Sequence, residues 1–105
     1  MVTFVSVSKH TPADCPVTNE RSRKSMAEYM SKAGELEAKH GVKMVGSWTV
    51  HSEHWTVQVF EAPRFEAFMA YSMEPEIMSV VNWQTMKLKV AMALEETWEM
   101  VQAQG

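Results

Sequence analysis

Four histidines and a single cysteine are the side chains in this 105-residue sequence best suited to binding a metal or moving a proton near neutral pH. His51 and His54 stand three residues apart, separated by Ser52 and Glu53. His10 closes the first β-rich stretch, and Cys15 follows it in Asp14-Cys15-Pro16. Three neutral imidazoles (His10, His51 and His54) suit Zn, Fe, Cu or Ni, and with one water they form an open, catalytic-type metal site. Without a metal, the same rings serve as general acids and bases. Asp14, Cys15 and Glu53 are close enough in sequence to add a fourth ligand, a hydrogen-bonding partner or a proton acceptor. An H-x-x-H spacing across a turn is much less specific than a helical HExxH, and it fits exposed turn or ligand-pocket histidines equally. Cys15 reads either as a nucleophile, with its pKa lowered by His10 and raised by Asp14, or as an inert buried thiol. His40 reads as a helix-end residue.

The segments that position these groups are legible from periodicity. Val42 to Glu61 reads as two strands meeting at His51-Ser52-Glu53-His54, with Val50 opposite Trp55, Trp48 opposite Val57 and Gly46 opposite Val59. Strict alternation places those apolar residues on one face, and His51, His54, Thr49, Thr56, Ser47 and Gln58 on the other. Val2 to Lys9 is a first strand, followed by a loop with prolines at 12 and 16. Thr18 is the expected N-cap of a helix striped by Met26, Tyr29, Met30, Ala33 and Leu36, which His40-Gly41 closes. Pro63 opens a second helix that breaks at Glu74-Pro75, and Pro75 opens a shorter one. Thr85 to Met92 alternates as a fourth strand, and Leu94 to Gln102 is a terminal helix with Leu94, Trp98 and Val101 on one side.

The resulting order, β-α-β-β-α-β plus a helix, is an α+β, ferredoxin-like arrangement, with helices on one face of a four-stranded antiparallel sheet. With its central hairpin, the helix broken at Met73-Glu74-Pro75 and a strand at Thr85–Met92, the chain resembles the dimeric α+β barrel superfamily of small ferredoxin-like proteins. That resemblance implies a homodimer whose sheets pack face to face, with a small ligand held between sheet and helices. It also implies functions such as monooxygenase, isomerase, haem-handling or stress-response protein. The expected strand order is 4-1-3-2, which brings His10, His51 and His54 to one edge. With Val5 and Val7 facing the helices, the three rings share the opposite face. On the helix side, Trp48, Trp55 and Tyr29 are candidates to line a flat cofactor or ligand pocket. Phe4, Val45, Phe60 and Ala91 would form an apolar patch away from the helices, covered in the dimer together with the last helix.

Composition narrows the field. A single domain is expected, and a net charge of -3 with no basic stripe argues against a nucleic-acid surface. No run approaches the ~20 apolar residues of a membrane span, and the start reads as a strand without a signal-peptide pattern, so a cytoplasmic protein is expected. One cysteine allows no internal disulfide. Ten methionines stand in for scarce leucine or border an adaptable pocket. There is no phosphate-binding Gly-rich loop and no Ser-His-Asp order. The leading expectation is a homodimeric small-molecule binder, acting as a metal- or cofactor-assisted oxygenase or isomerase through its histidines. Its rivals are a non-catalytic metal- or ligand-binding stress or sensor module, and a structural assembly protein.

Overall fold

A computed structural model describes all 105 residues. The regular elements are β1 (Val2–Lys9), α1 (Glu20–His40), β2 (Lys43–Val50), β3 (Trp55–Ala62), α2 (Phe65–Ser72), α3 (Pro75–Val81), β4 (Thr85–Ala91) and α4 (Leu94–Gln104). Short 3-10 turns occupy Pro12–Asp14 and His51–Glu53. The four strands pair antiparallel in the order β2-β3-β1-β4, and the hairpin has the expected register, including Val50 with Trp55 and Trp48 with Val57.

Helix boundaries follow local chemistry. The cap of α1 is Asn19, not Thr18: its side chain accepts a hydrogen bond from the Ser22 N–H at 3.0 Å. The Thr18 hydroxyl instead points back to the Cys15 carbonyl. Gly41 ends α1 at φ 68°, a left-handed conformation that glycine reaches without a Cβ clash, and its N–H returns to the last turn. Lys39 in that last turn pairs with Glu74 at 3.1 Å, which ties α1 to the break before α3. Hydrogen bonding from Lys39 holds the Glu74 carboxyl below its ordinary pKa.

The covered face of the sheet is opposite to the one expected from the alternation. Phe4 and Phe60 pair across β1 and β3, and both are buried under α2. Phe4 stacks on Phe68 at 4.3 Å between centroids, and Phe60 meets Phe68 edge-on at 5.2 Å. These two large side chains share parity with Ser6, Ser8, Thr56 and Gln58, so they carry the polar residues beneath the helices with them. Val5, Val7, Trp48, Trp55, Val57 and Val59 therefore lie on the open face. The expected Phe4–Phe60 surface patch is instead part of the core, with Leu36, Val42, Ala62, Phe68, Tyr71 and Ile77. A β-bulge between Met44 and Gly46 lets Met44 pack on that core while Ser47 and Thr49 point the same way, which strict alternation forbids.

Two apolar surfaces have no cover. On the open face, Trp48 is 57% exposed and folds over Gly46, where an added Cβ would collide with its indole. Helix α4 buries no residue at all, and Leu94 and Trp98 are 77% and 57% exposed.

Candidate functional site

The helices meet the sheet closely only at its phenylalanine end. Toward the other end, the small side chains Ser6, Ser8, Ser47, Thr49 and Thr56 face methionines and valines across a gap of about 740 Å³. That is ample for a drug-sized molecule. The walls are largely apolar, with Met26, Met30, Met69, Met78, Met86 and Leu88 among them. The methionines thus border a cavity as well as filling a core.

Polar groups gather at two points of this cavity. The first lies inside, next to the packed core. The Ser6 and Tyr71 hydroxyls are buried and have no hydrogen-bond partner. Tyr29 lies beside Tyr71 and Gln58, and Gln58 donates to the Ser47 hydroxyl at 3.3 Å. Burial raises the pKa of both phenols, and each Tyr is the other's neighbour in the pair, so both stay protonated through the neutral range. An unpaired buried hydroxyl costs about 1–3 kcal/mol, which a bound molecule with matching oxygen or nitrogen atoms can relieve.

The second point is the histidine end. His10 continues β1, and its backbone N–H donates to the His54 carbonyl at 3.1 Å. The 3-10 turn at His51–Glu53 ends in His54 at φ 57°, the one non-glycine residue with positive φ, and this conformation aims the ring back toward β1. His54 Nδ1 and His10 Nε2 are 3.2 Å apart. Burial, reinforced by the neighbouring His54, lowers the His10 pKa below its ordinary 6.5, so its ring is neutral at pH 7. Trp83 packs edge-on to His10 at 5.5 Å, and its indole N–H donates to the Ser25 hydroxyl at 2.8 Å.

Cys15 joins this end from the loop. Its N–H donates to the Pro12 carbonyl, and its own carbonyl accepts from Thr18 and Asn19, which turns the thiol inward to a buried position. The possible ligand atoms of His10, Cys15 and His54 all lie within 4.8 Å of one another. His51 lines the same cavity with its ring 6.2 Å from that of His54, but it stands outside this triad. Asp14 is held away by Arg21 at 3.2 Å and by Thr11. Glu53 is exposed in the turn.

Of the three residues expected to line a pocket beneath the helices, Tyr29 does so. Trp48 and Trp55 do not, because Phe4 and Phe60 turn their strand positions outward; Trp55 instead stacks beneath the Lys9 ammonium at 4.7 Å. Sequence reasoning missed Ser6, Tyr71 and Trp83. A serine at the middle of a valine-rich first strand was the available signal for Ser6. Nothing local marks Trp83.

Several solved structures share this architecture, and two illustrate it. One is an uncharacterized NIPSNAP domain protein from Burkholderia xenovorans, with a TM-score of 0.51 at 13% identity over 89% of this chain and 96% of that one. The other is a protein of unknown function from Rhodopseudomonas palustris, with a TM-score of 0.54 at 16% identity over 87% of this chain and 83% of that one. The fold is ferredoxin-like. At such identities the likeness reaches no further than the fold. No family model matches the sequence, and no curated protein matches it either. No helix is long and apolar enough to cross a membrane.

Proposed function

We propose that this chain binds a flat, mainly apolar small molecule carrying hydroxyl or carbonyl oxygens, and transfers a proton on it as an isomerase does. The observation that carries this reading is a roomy apolar cavity with polar groups at two separate points. The unpartnered Ser6 and Tyr71 hydroxyls offer hydrogen bonds at one, and the neutral His10 against His54 offers an acid–base pair at the other. Phenols and quinones have the required shape and the required acceptors. The test is calorimetric titration with a panel of hydroxylated naphthalenes and naphthoquinones, followed by solvent-deuterium exchange into the ring carbon ortho to the hydroxyl of the bound naphthols, measured above the uncatalysed rate. Saturable 1:1 binding with exchange supports the reading. Binding without exchange reduces it to a non-catalytic binder, and no binding by any member removes it.

The chain is further proposed to act as a homodimer through the open face of the sheet. Trp48 and Val50 are exposed there, and the apolar side of α4 is uncovered as well. Lys87 and Lys89 share parity with Val7 and Val5 on that face, while α4 carries Glu95, Glu96 and Glu99, so a second copy offers both apolar and charge complements. Light scattering on the eluting protein is expected to give twice the chain mass, and Trp48→Glu is expected to halve it. A clean monomer for the unmodified chain removes the proposal.

A further inference from the structure

Three donors of borderline-soft character converge where β1, the Cys15 loop and the β2–β3 turn meet. We infer that His10 Nε2, His54 Nδ1 and Cys15 Sγ form a mononuclear site for a thiophilic transition metal such as zinc, with its fourth position open to the cavity. The two ring nitrogens are 3.2 Å apart, a separation that fits a shared ion as well as the hydrogen bond they make without one. Two nitrogens at ~2.0–2.1 Å from a tetrahedral zinc lie roughly 3.3 Å apart. Zinc–sulfur bonds of ~2.3 Å place the sulfur roughly 3.6 Å from each nitrogen, and the thiol already lies within 4.8 Å of both. The remaining closure is a shift of about 1.2 Å at most, within reach of a side-chain rotation in the 11–15 loop.

The surroundings favour a metal on these atoms. His10 Nε2 and His54 Nδ1 face each other at hydrogen-bond distance, and Cys15 is buried beside them, so all three donor atoms are turned to one point rather than to solvent. No carboxylate belongs to the triad, because Asp14 is engaged by Arg21 and Thr11. A set of two nitrogens and one thiolate selects zinc, cobalt(II) or copper over magnesium or calcium. This ligand set differs from the three-histidine set suggested by sequence spacing, and it leaves His51 as a cavity residue. It rests on the proposed function for its ligand class and replaces the acid–base role of His10 and His54 there: with both rings on the ion and one thiolate, a divalent ion keeps a single positive charge, which suits a phenolate or enolate oxygen of the bound molecule in the open position.

The experiment is a titration of the reduced, chelator-treated full chain with cobalt(II), followed by optical absorbance and by displacement with zinc(II). Expected are 1:1 binding, visible bands of tetrahedral intensity and a near-ultraviolet thiolate-to-cobalt charge-transfer band. Cys15→Ser is expected to remove the charge-transfer band and to weaken binding roughly tenfold or more. His54→Asn, which tolerates the same left-handed backbone, is expected to abolish binding, and His51→Ala to leave it unchanged. The inference is overturned if the unmodified chain gives no tetrahedral bands, if the charge-transfer band survives Cys15→Ser, or if His51→Ala weakens binding as much as His54→Asn does. Titration of the metal-free chain with the naphthoquinone panel separates the two proposals. Compound binding without cobalt binding leaves the cavity function standing and removes the metal, and cobalt binding without compound binding does the reverse.

Discussion

The two ends of the layer between sheet and helices are built from the same strands but filled in opposite ways. At one end Phe4, Phe60, Phe68 and Tyr71 interlock, with ring centroids 4.3–5.8 Å apart. At the other, two residues further along β1 and onward, Ser6 and Ser8 occupy equivalent positions and the helices have nothing to close upon. One end supplies cohesion and the other supplies room. A chain this short must concentrate its stability to keep so large a gap open. Tyr71 stands at the junction, with its ring in the aromatic cluster and its hydroxyl at the cavity.

The largest effect that tests this contrast is truncation at the packed end. Phe68→Ala removes the ring shared by Phe4, Phe60 and Tyr71 and is expected to cost about 3–5 kcal/mol in urea unfolding. The same truncation of Met30, 65% exposed beside the cavity, is expected to cost about 0.5 kcal/mol or less. Equal costs would mean that the two ends are not distinct. Enlargement should show the opposite preference. Ala62→Leu at the packed end is expected to cost about 1–3 kcal/mol. Ser6→Leu, which grows into the empty end and removes an unpaired hydroxyl, is expected to cost less than about 1 kcal/mol while blocking uptake of naphthoquinones.

The smallest effect concerns the junction residue. The Tyr71 phenol ionises at a higher pH in the folded chain than its ordinary 10.0, because burial and the adjacent Tyr29 oppose its charge. The unfolded chain therefore releases this proton first. The folded state retains its full stability below about pH 10 and loses it as pH rises further. Tyr71→Phe is expected to flatten that alkaline decline in thermal melts and to leave stability at pH 7 unchanged or slightly raised, since the hydroxyl has no partner to lose. A variant that melts like the original at every pH would show that the hydroxyl is solvated.

Much of this contrast could not be read from the sequence, although the architecture could. Element order, hairpin register and the helix break at Glu74-Pro75 follow from period and turn chemistry, which are local, while the meeting of His10 with His54 follows from the strand order that the element order implies. The choice of sheet face is not local. Alternation separates Val5 and Val7 from Ser6 and Ser8 equally well whichever set the helices cover. Hydrophobicity favoured the valines and tryptophans, but the packing of Phe4 and Phe60 against α2 settled it the other way. The tryptophans therefore lie on the open face instead of beneath the helices, while Tyr29, on a helix, lines the cavity. Cys15 entered the histidine cluster through hydrogen bonds among Pro12, Thr18 and Asn19, a loop conformation that no periodicity reports.

His54 holds its left-handed backbone without being glycine. A glycine there would satisfy the turn with less strain, and for folding alone it would be the better choice by about 1 kcal/mol. The hydrogen bonds through the His54 backbone need no side chain, so the turn would keep them and lose only the ring's contact with His10. Glycine at this position keeps the turn and removes only the ring, so His54→Gly separates what the imidazole contributes from what the hairpin needs to fold.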